Sequence, residues 1–206
     1  MADNFGLKIG VEGEKEFKKA LTEINQNFKV LGSEMKLVSS NESLNNLADS
    51  MSVYGDAAKA YFSGEAVAEQ TVTDDLSVYD FTVGTMTEGI SCYGSSLILK
   101  SETTIRHYFK LEDGKEISDY TFSVNGTTLT PTEKQGYYYI DINNVSAEKL
   151  GTPFNVSVNG EEVITNYSAL SYVYKALDSD STDVNLKNLV KSLYIYNQDA
   201  LAYITA

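Results

Sequence analysis

One cysteine, Cys92, and one histidine, His107, are all the chain has of either residue. No disulfide can therefore form within it, and no Cys/His metal site can be assembled. Tryptophan is absent, only two prolines occur in 206 residues, and no low-complexity run appears. No apolar stretch approaches the roughly 20 residues that a membrane-spanning helix needs. The opening Met1-Ala2-Asp3-Asn4-Phe5 lacks the basic and apolar regions of a secretory signal, which predicts a cytoplasmic chain.

The signatures of catalysis are missing too. There is no Gly-x-Ser-x-Gly elbow, phosphate loop or dinucleotide fingerprint. The acidic pairs Asp74-Asp75 and Glu161-Glu162 fall in expected turns, and neighbours on a strand point to opposite faces, unlike a two-carboxylate glycosidase site. His107 shares a strand face with Ile105 and Phe109, the pattern of a core histidine rather than a general base. Cys92 has no basic neighbour in sequence and reads as a small, partly buried filler. Asp178, Asp180 and Asp183 could offer oxygen to calcium, but the glycine and the twelfth-position glutamate of an EF-hand loop are absent, so a solvated helix connection is expected. No enzyme activity, cofactor or metal is expected.

Apolar residues make up 42% and charged residues 22%, the composition of a globular chain with room for one domain and an appendage. The net charge of −13 is unevenly placed. In residues 1–40, six acids cancel six lysines, so residues 41–206 carry all of it. Such a field repels nucleic acid and anionic membrane and favours a basic protein partner.

Leu7, Ile9 and Val11 alternate with polar residues as a short strand does. After Gly13, apolar residues at Phe17, Leu21, Ile24, Phe28, Leu31, Met35 and Val38 form an a/d seam over three heptads. That seam packs on its own chain or self-associates through residues 13–38. A second helix is expected over 44–62, with Leu44, Leu47, Met51, Tyr54, Ala58 and Tyr61 on one stripe. A closing helix over 186–204 repeats the spacing with Leu186, Leu189, Leu193, Tyr196, Ala200 and Tyr203, offset by 142. Between them, strand-like runs fall at 78–83, 96–100, 103–110, 120–124, 137–142 and 154–158. Asn125-Gly126 and Asn159-Gly160 predict type I′ hairpins, and a third helix is expected over 167–177. The fold class is thus α+β: a strand–helix appendage (1–40), then an acidic, tyrosine-rich antiparallel sheet or sandwich (41–206) flanked by the repeated helix. Fifteen tyrosines stand out. Tyr137-Tyr138-Tyr139 places aromatics on both faces of one strand, which makes Tyr137 and Tyr139 candidates for an outward contact surface.

Two resemblances add to this. Residues 5–38, from Phe5-Gly6-Leu7-Lys8-Ile9-Gly10-Val11 through Val30-Leu31-Gly32-Ser33-Glu34-Met35-Lys36, resemble the N-terminus of tail tape-measure proteins from phages of Gram-positive bacteria. Residues 44–206, through Tyr54-Gly55-Asp56-Ala57-Ala58-Lys59-Ala60-Tyr61-Phe62, Tyr93-Gly94-Ser95-Ser96-Leu97-Ile98-Leu99, Tyr167-Ser168-Ala169-Leu170-Ser171-Tyr172 and Leu189-Val190-Lys191-Ser192-Leu193-Tyr194, resemble a domain of large gut Firmicutes cell-surface proteins. The second implies a non-catalytic, adhesive or accessory role; together they imply a bacterial or phage context. The leading expectation is a non-enzymatic protein-binding or adhesion-type module. The runner-up is a phage-encoded acidic inhibitor of a host nucleic-acid-binding defence enzyme, as anti-CRISPR proteins are. A truncated phage tail component comes third.

Overall fold

The 3-4 apolar spacing from Leu44 to Tyr61 forms helix α1 (Glu42–Ser63) in the chain's structure, a computed structural model that describes Lys19 and residues 42–99 and 103–206. The expected strand at 7–11 and the seam of Phe17, Leu21, Ile24, Phe28, Leu31 and Met35 lie outside the described residues. A 3-10 turn at Leu76–Tyr79 then leads into β1 (Thr82–Val83), β2 (Ile90–Ile98), β3 (Thr103–Leu111), β4 (Phe122–Val124) and β5 (Thr127–Leu129). There follow β6 (Thr132–Lys134), β7 (Tyr137–Val145), β8 (Phe154–Val158) and β9 (Glu161–Tyr167), then α2 (Ala169–Asp178) and α3 (Val184–Thr205).

Both sheets are antiparallel, with strand orders β1-β9-β8-β4-β5 and β2-β3-β7-β6. They meet face to face. Phe109 of β3 lies 5.0 Å, centroid to centroid, from Phe122 of β4, and His107 lies 4.7 Å from Tyr167 of β9. The α+β class, with an antiparallel sandwich between helices, is as the sequence pattern predicts. One contiguous core joins Leu97, Ile105 and Ile140 of one sheet, Val156, Val158 and Ile164 of the other, and the buried sides of all three helices.

The two Asn-Gly pairs make the expected turns. Asn125, Gly126, Asn159 and Gly160 have φ of 47°, 81°, 52° and 85°, the left-handed conformations a type I′ turn requires. Each asparagine also accepts from the neighbouring strand. Asn125 Oδ1 takes the Asn155 N–H and Asn159 Oδ1 takes the Thr121 N–H, both at 2.8 Å, so the two hairpins lock one another in register. A third turn of this kind, Gln135-Gly136, joins β6 to β7.

The repeat is structural. The 142-residue offset carries Glu42–Ser63 onto Val184–Thr205, end for end. Ser50 and Ser192, equivalent and buried, each donate to the carbonyl three residues back, at Leu47 (3.1 Å) and Leu189 (2.7 Å). The helices run antiparallel, and equivalent tyrosines meet at the crossing: Tyr54 stacks on Tyr196 at 5.6 Å with 9° between the planes.

Some expectations need correction. Residues 78–83 are not one strand. Asp75 accepts the Ser77 N–H at 2.9 Å and starts a 3-10 turn, which leaves only Thr82–Val83 to pair with β9. The strand expected at 96–100 starts six residues earlier, at Ile90. Strands β5, β6 and β9 escaped notice, since each opens on two adjacent exposed polar residues. Tyr167 ends β9 rather than starting a helix, because Ser168 and Ser171 form a reciprocal cap at the head of α2. Of the stacked pair, Tyr54 is buried and Tyr196 is somewhat less enclosed.

This asymmetry sets the expected mutational cost. Tyr54→Ala should cost about 3–5 kcal/mol, and Tyr196→Ala less, about 1–3 kcal/mol. A double-mutant cycle by urea denaturation should return about 1 kcal/mol of coupling for the stacked pair. Additive losses would mean that the rings are neighbours without mutual stabilisation.

Candidate functional site: a tyrosine face on the four-stranded sheet

Alternation along β3 and β7 divides their side chains between two faces. Ile105, His107 and Phe109 face the core, opposite Ile142, Ile140 and Tyr138. Thr104, Arg106 and Tyr108 face outward, with Arg106 opposite Asp141 and Tyr108 opposite Tyr139. The two candidates Tyr137 and Tyr139 both stand on this outer face, half-buried. Tyr93 joins them from β2. It is the extra residue of a β-bulge between Cys92 and Gly94, and its ring lies 4.3 Å from that of Tyr137. Hydrogen bonding with the Tyr93 hydroxyl raises the Tyr137 phenol above its ordinary pKa.

A charged pair organises this face. Arg106 Nε and Nη2 donate to the two Asp141 oxygens at 2.7 and 2.8 Å, a bidentate fork. The guanidinium carbon sits 3.6 Å from the centre of the Tyr139 ring. Burial alone pulls the guanidinium pKa down; Asp141, with help from Tyr108, more than reverses this and leaves it raised. Beside the pair runs a groove of about 280 Å³ lined by Leu129, Thr130, Thr132, Tyr139, Asp141 and Asn143. Thr104 donates to Asn143 Oδ1 at 3.0 Å.

His107 is a core residue. It is fully buried, shares a 2.7 Å hydrogen bond with Ser95 through Nδ1, and meets Tyr167 edge to face. Its Nε2 is among the few buried side-chain polar atoms without a partner among the described residues. A serine–histidine pair sealed this way has no access to a substrate. Burial lowers the His107 pKa to about 3 and pushes the Cys92 thiol up to about 12, so both stay neutral near pH 7. Among the described residues no three His, Cys, Asp or Glu side chains are grouped so as to hold a metal. Asp183, from the acidic loop, instead caps α3 by accepting the Asn185 and Leu186 N–H groups.

A second charged feature lies along α3. The segment from Glu65 to Asp80 runs beside it, tied by Asn185 Nδ2 to the Glu65 carbonyl, Lys191 to Glu69 and the Tyr194 hydroxyl to Asp74 (3.3, 3.0 and 2.8 Å). Lys175 of α2 pairs with Asp80 at 2.8 Å.

Sequence reasoning found Tyr137 and Tyr139 but missed Tyr93, Arg106, Tyr108, Asp141 and Asn143. Arg106 and Tyr108 were legible as the opposite phase of the strand that placed His107 inward. Tyr93 was not, because its direction depends on the bulge.

The neutral His107 makes stability depend on pH. Its folded pKa lies below the roughly 6.5 of an unfolded histidine, so its contribution is present above that value and is lost as pH falls from 6.5 toward 3. Between pH 7 and pH 4 this one group should remove about 3 kcal/mol. His107→Gln should flatten that part of the stability–pH curve whatever its own stability, and the His107 ring protons should not titrate by NMR between pH 7 and 5. Titration near 6.5 in the folded protein would show that the ring reaches water.

With this geometry established, no protein-family model, no curated protein and no solved structure matches the chain.

Proposed function

We propose that the chain is a non-enzymatic interaction module of the protein-binding or adhesion type, with the outer face of the four-stranded sheet as its contact surface. The observation that carries this reading is the grouping of Tyr93, Tyr108, Tyr137 and Tyr139 on one face, around the buried Arg106–Asp141 fork. Tyrosine offers a large rigid contact area with only two rotatable angles, so it binds at low entropic cost. Tyr93 is 47% exposed, unusual for a ring of that size. The neutral, inaccessible His107 and the protonated Cys92 offer no nucleophile or base.

The acidic surface along α3 favours a second reading, an inhibitor whose carboxylates occupy a basic groove on a nucleic-acid-binding defence enzyme. Glu65, Glu69, Asp74, Asp75, Asp80, Asp178, Asp180 and Asp183 belong to the segment beside α3 and the connection into it. A tail component would rest on residues 5–38, of which Lys19 alone is described.

Salt and tyrosine substitution separate the first two. Immobilised protein should retain a partner from bacterial lysate or on whole bacterial cells, with little change as salt rises. Tyr93→Ser/Tyr137→Ser should weaken retention at least tenfold, with circular dichroism unaltered, since paired aromatics are common centres of binding energy. A complex that ignores that double substitution but dissolves as salt rises, and that excludes nucleic acid, would assign the function to the acidic surface instead.

A further inference from the structure

The groove beside the Arg106–Asp141 fork has a chemistry of its own. Both Asp141 oxygens are bound by Arg106, so the carboxylate is held in one orientation and its charge is matched. Each oxygen still has lone pairs to accept from another donor. Next along the outer row, Asn143 receives the Thr104 hydroxyl on Oδ1, and its amide N–H groups are left to donate. Tyr139 supplies an aromatic wall, Leu129 an apolar one, and Thr130 and Thr132 line the groove with hydroxyls. A fixed acceptor, a fixed donor and a ring face in one cleft suit a molecule with adjacent hydroxyls on one side and C–H bonds on the other. The neutral lining disfavours cations and anions alike. The volume, about 280 Å³, is near the lower end of the roughly 300–1,000 Å³ typical of small-molecule sites, which suits one ring rather than a long chain.

We propose that this groove binds one ring of a neutral glycan: Asp141 accepts from two neighbouring hydroxyls, Asn143 donates to a third oxygen, and the C–H face lies against Tyr139. The assignment rests on the reading of this sheet face as a contact surface and names the class of ligand it takes.

The test is an NMR titration of the whole, isotope-labelled chain with glucose, galactose, mannose, N-acetylglucosamine, lactose and cellobiose in turn. At least one should bind with millimolar affinity and move the Asn143 side-chain amide and Tyr139 ring signals. Asn143→Ala, at an exposed position away from the core, should weaken that binding about tenfold, the worth of one hydrogen bond to a hydroxyl held in place. Thr132→Trp should abolish it by filling the cleft, and both variants should keep the wild-type spectrum elsewhere. Shifts located away from the groove, or binding untouched by either variant, would overturn the site. If none of the six sugars binds while retention still depends on Tyr93 and Tyr137, the glycan assignment fails and the interaction module stands. If retention ignores those tyrosines as well, both fall.

Discussion

The first and last described helices close the domain by packing on one another. α1 and α3 are 142 residues apart in sequence, yet they cross where Tyr54 stacks on Tyr196. Everything between them, two sheets and a third helix, is folded inside that closure. Because α1 contributes Tyr54, Ala57 and Ala58 to the same core as Leu97 and Phe109, the pair forms one wall of the sandwich's own core rather than a separate bundle. Closing so long a loop costs entropy that grows only slowly with length, about 0.6 kcal/mol per doubling. The larger consequence is kinetic: contacts this distant form late and slow folding. Two copies of one helix type are well suited to this. In an antiparallel pair of equivalent surfaces, a residue before the crossing on one helix faces one after it on the other, and Tyr54 and Tyr196 meet as equivalents at the crossing itself, so a single stripe serves both partners.

On the other side of the core, Arg106 and Asp141 pose an energetic problem. Sinking a charge pair into a sheet face gains little stability and often less than an apolar pair of the same size would give. The geometry shows what the fork does instead. It holds Tyr139 beneath the guanidinium and fixes Asp141 between Tyr139 and Asn143 on the outer row. The fork therefore holds Tyr139 in place, and under the proposed function a ring already held reduces the ordering cost of binding.

What could be read in advance follows from how local each signal is. Asn125-Gly126 and Asn159-Gly160 were legible because positive φ at two consecutive residues is a demand that few sequences meet. The two long helices were legible because their 3-4 spacing runs for several turns. Strands β5 and β6 were not, since three residues with one partly buried member give no period to read. The run from Val78 to Val83 misled because local apolar alternation competes with the Asp75 cap, and the cap won. Part of the candidate site was legible through the tyrosine run alone. The remainder depends on register: Arg106 finds Asp141 only because β3 and β7 pair as they do, after an irregularity between Thr103 and Ile105.

The charge of the chain and the neutrality of the groove belong together. A net charge of −13 makes a field that discourages anionic molecules from approaching, yet exposed charges act over little more than about 8 Å at physiological ionic strength. On the tyrosine face Arg106 and Asp141 cancel one another, and Lys134 stands opposite Tyr137. That face presents aromatic rings, a matched charge pair, Lys134 and amide and hydroxyl groups. Affinity at such a surface comes from fit and from displaced water rather than from attraction at a distance, so it should be slow to form and insensitive to salt. Along α3 the acids outnumber Lys175, Lys187 and Lys191, and the opposite holds: the field leads and shape follows. One fold thus presents two surfaces governed by different physics, and under the proposed function the response of binding to salt tells which of them is used.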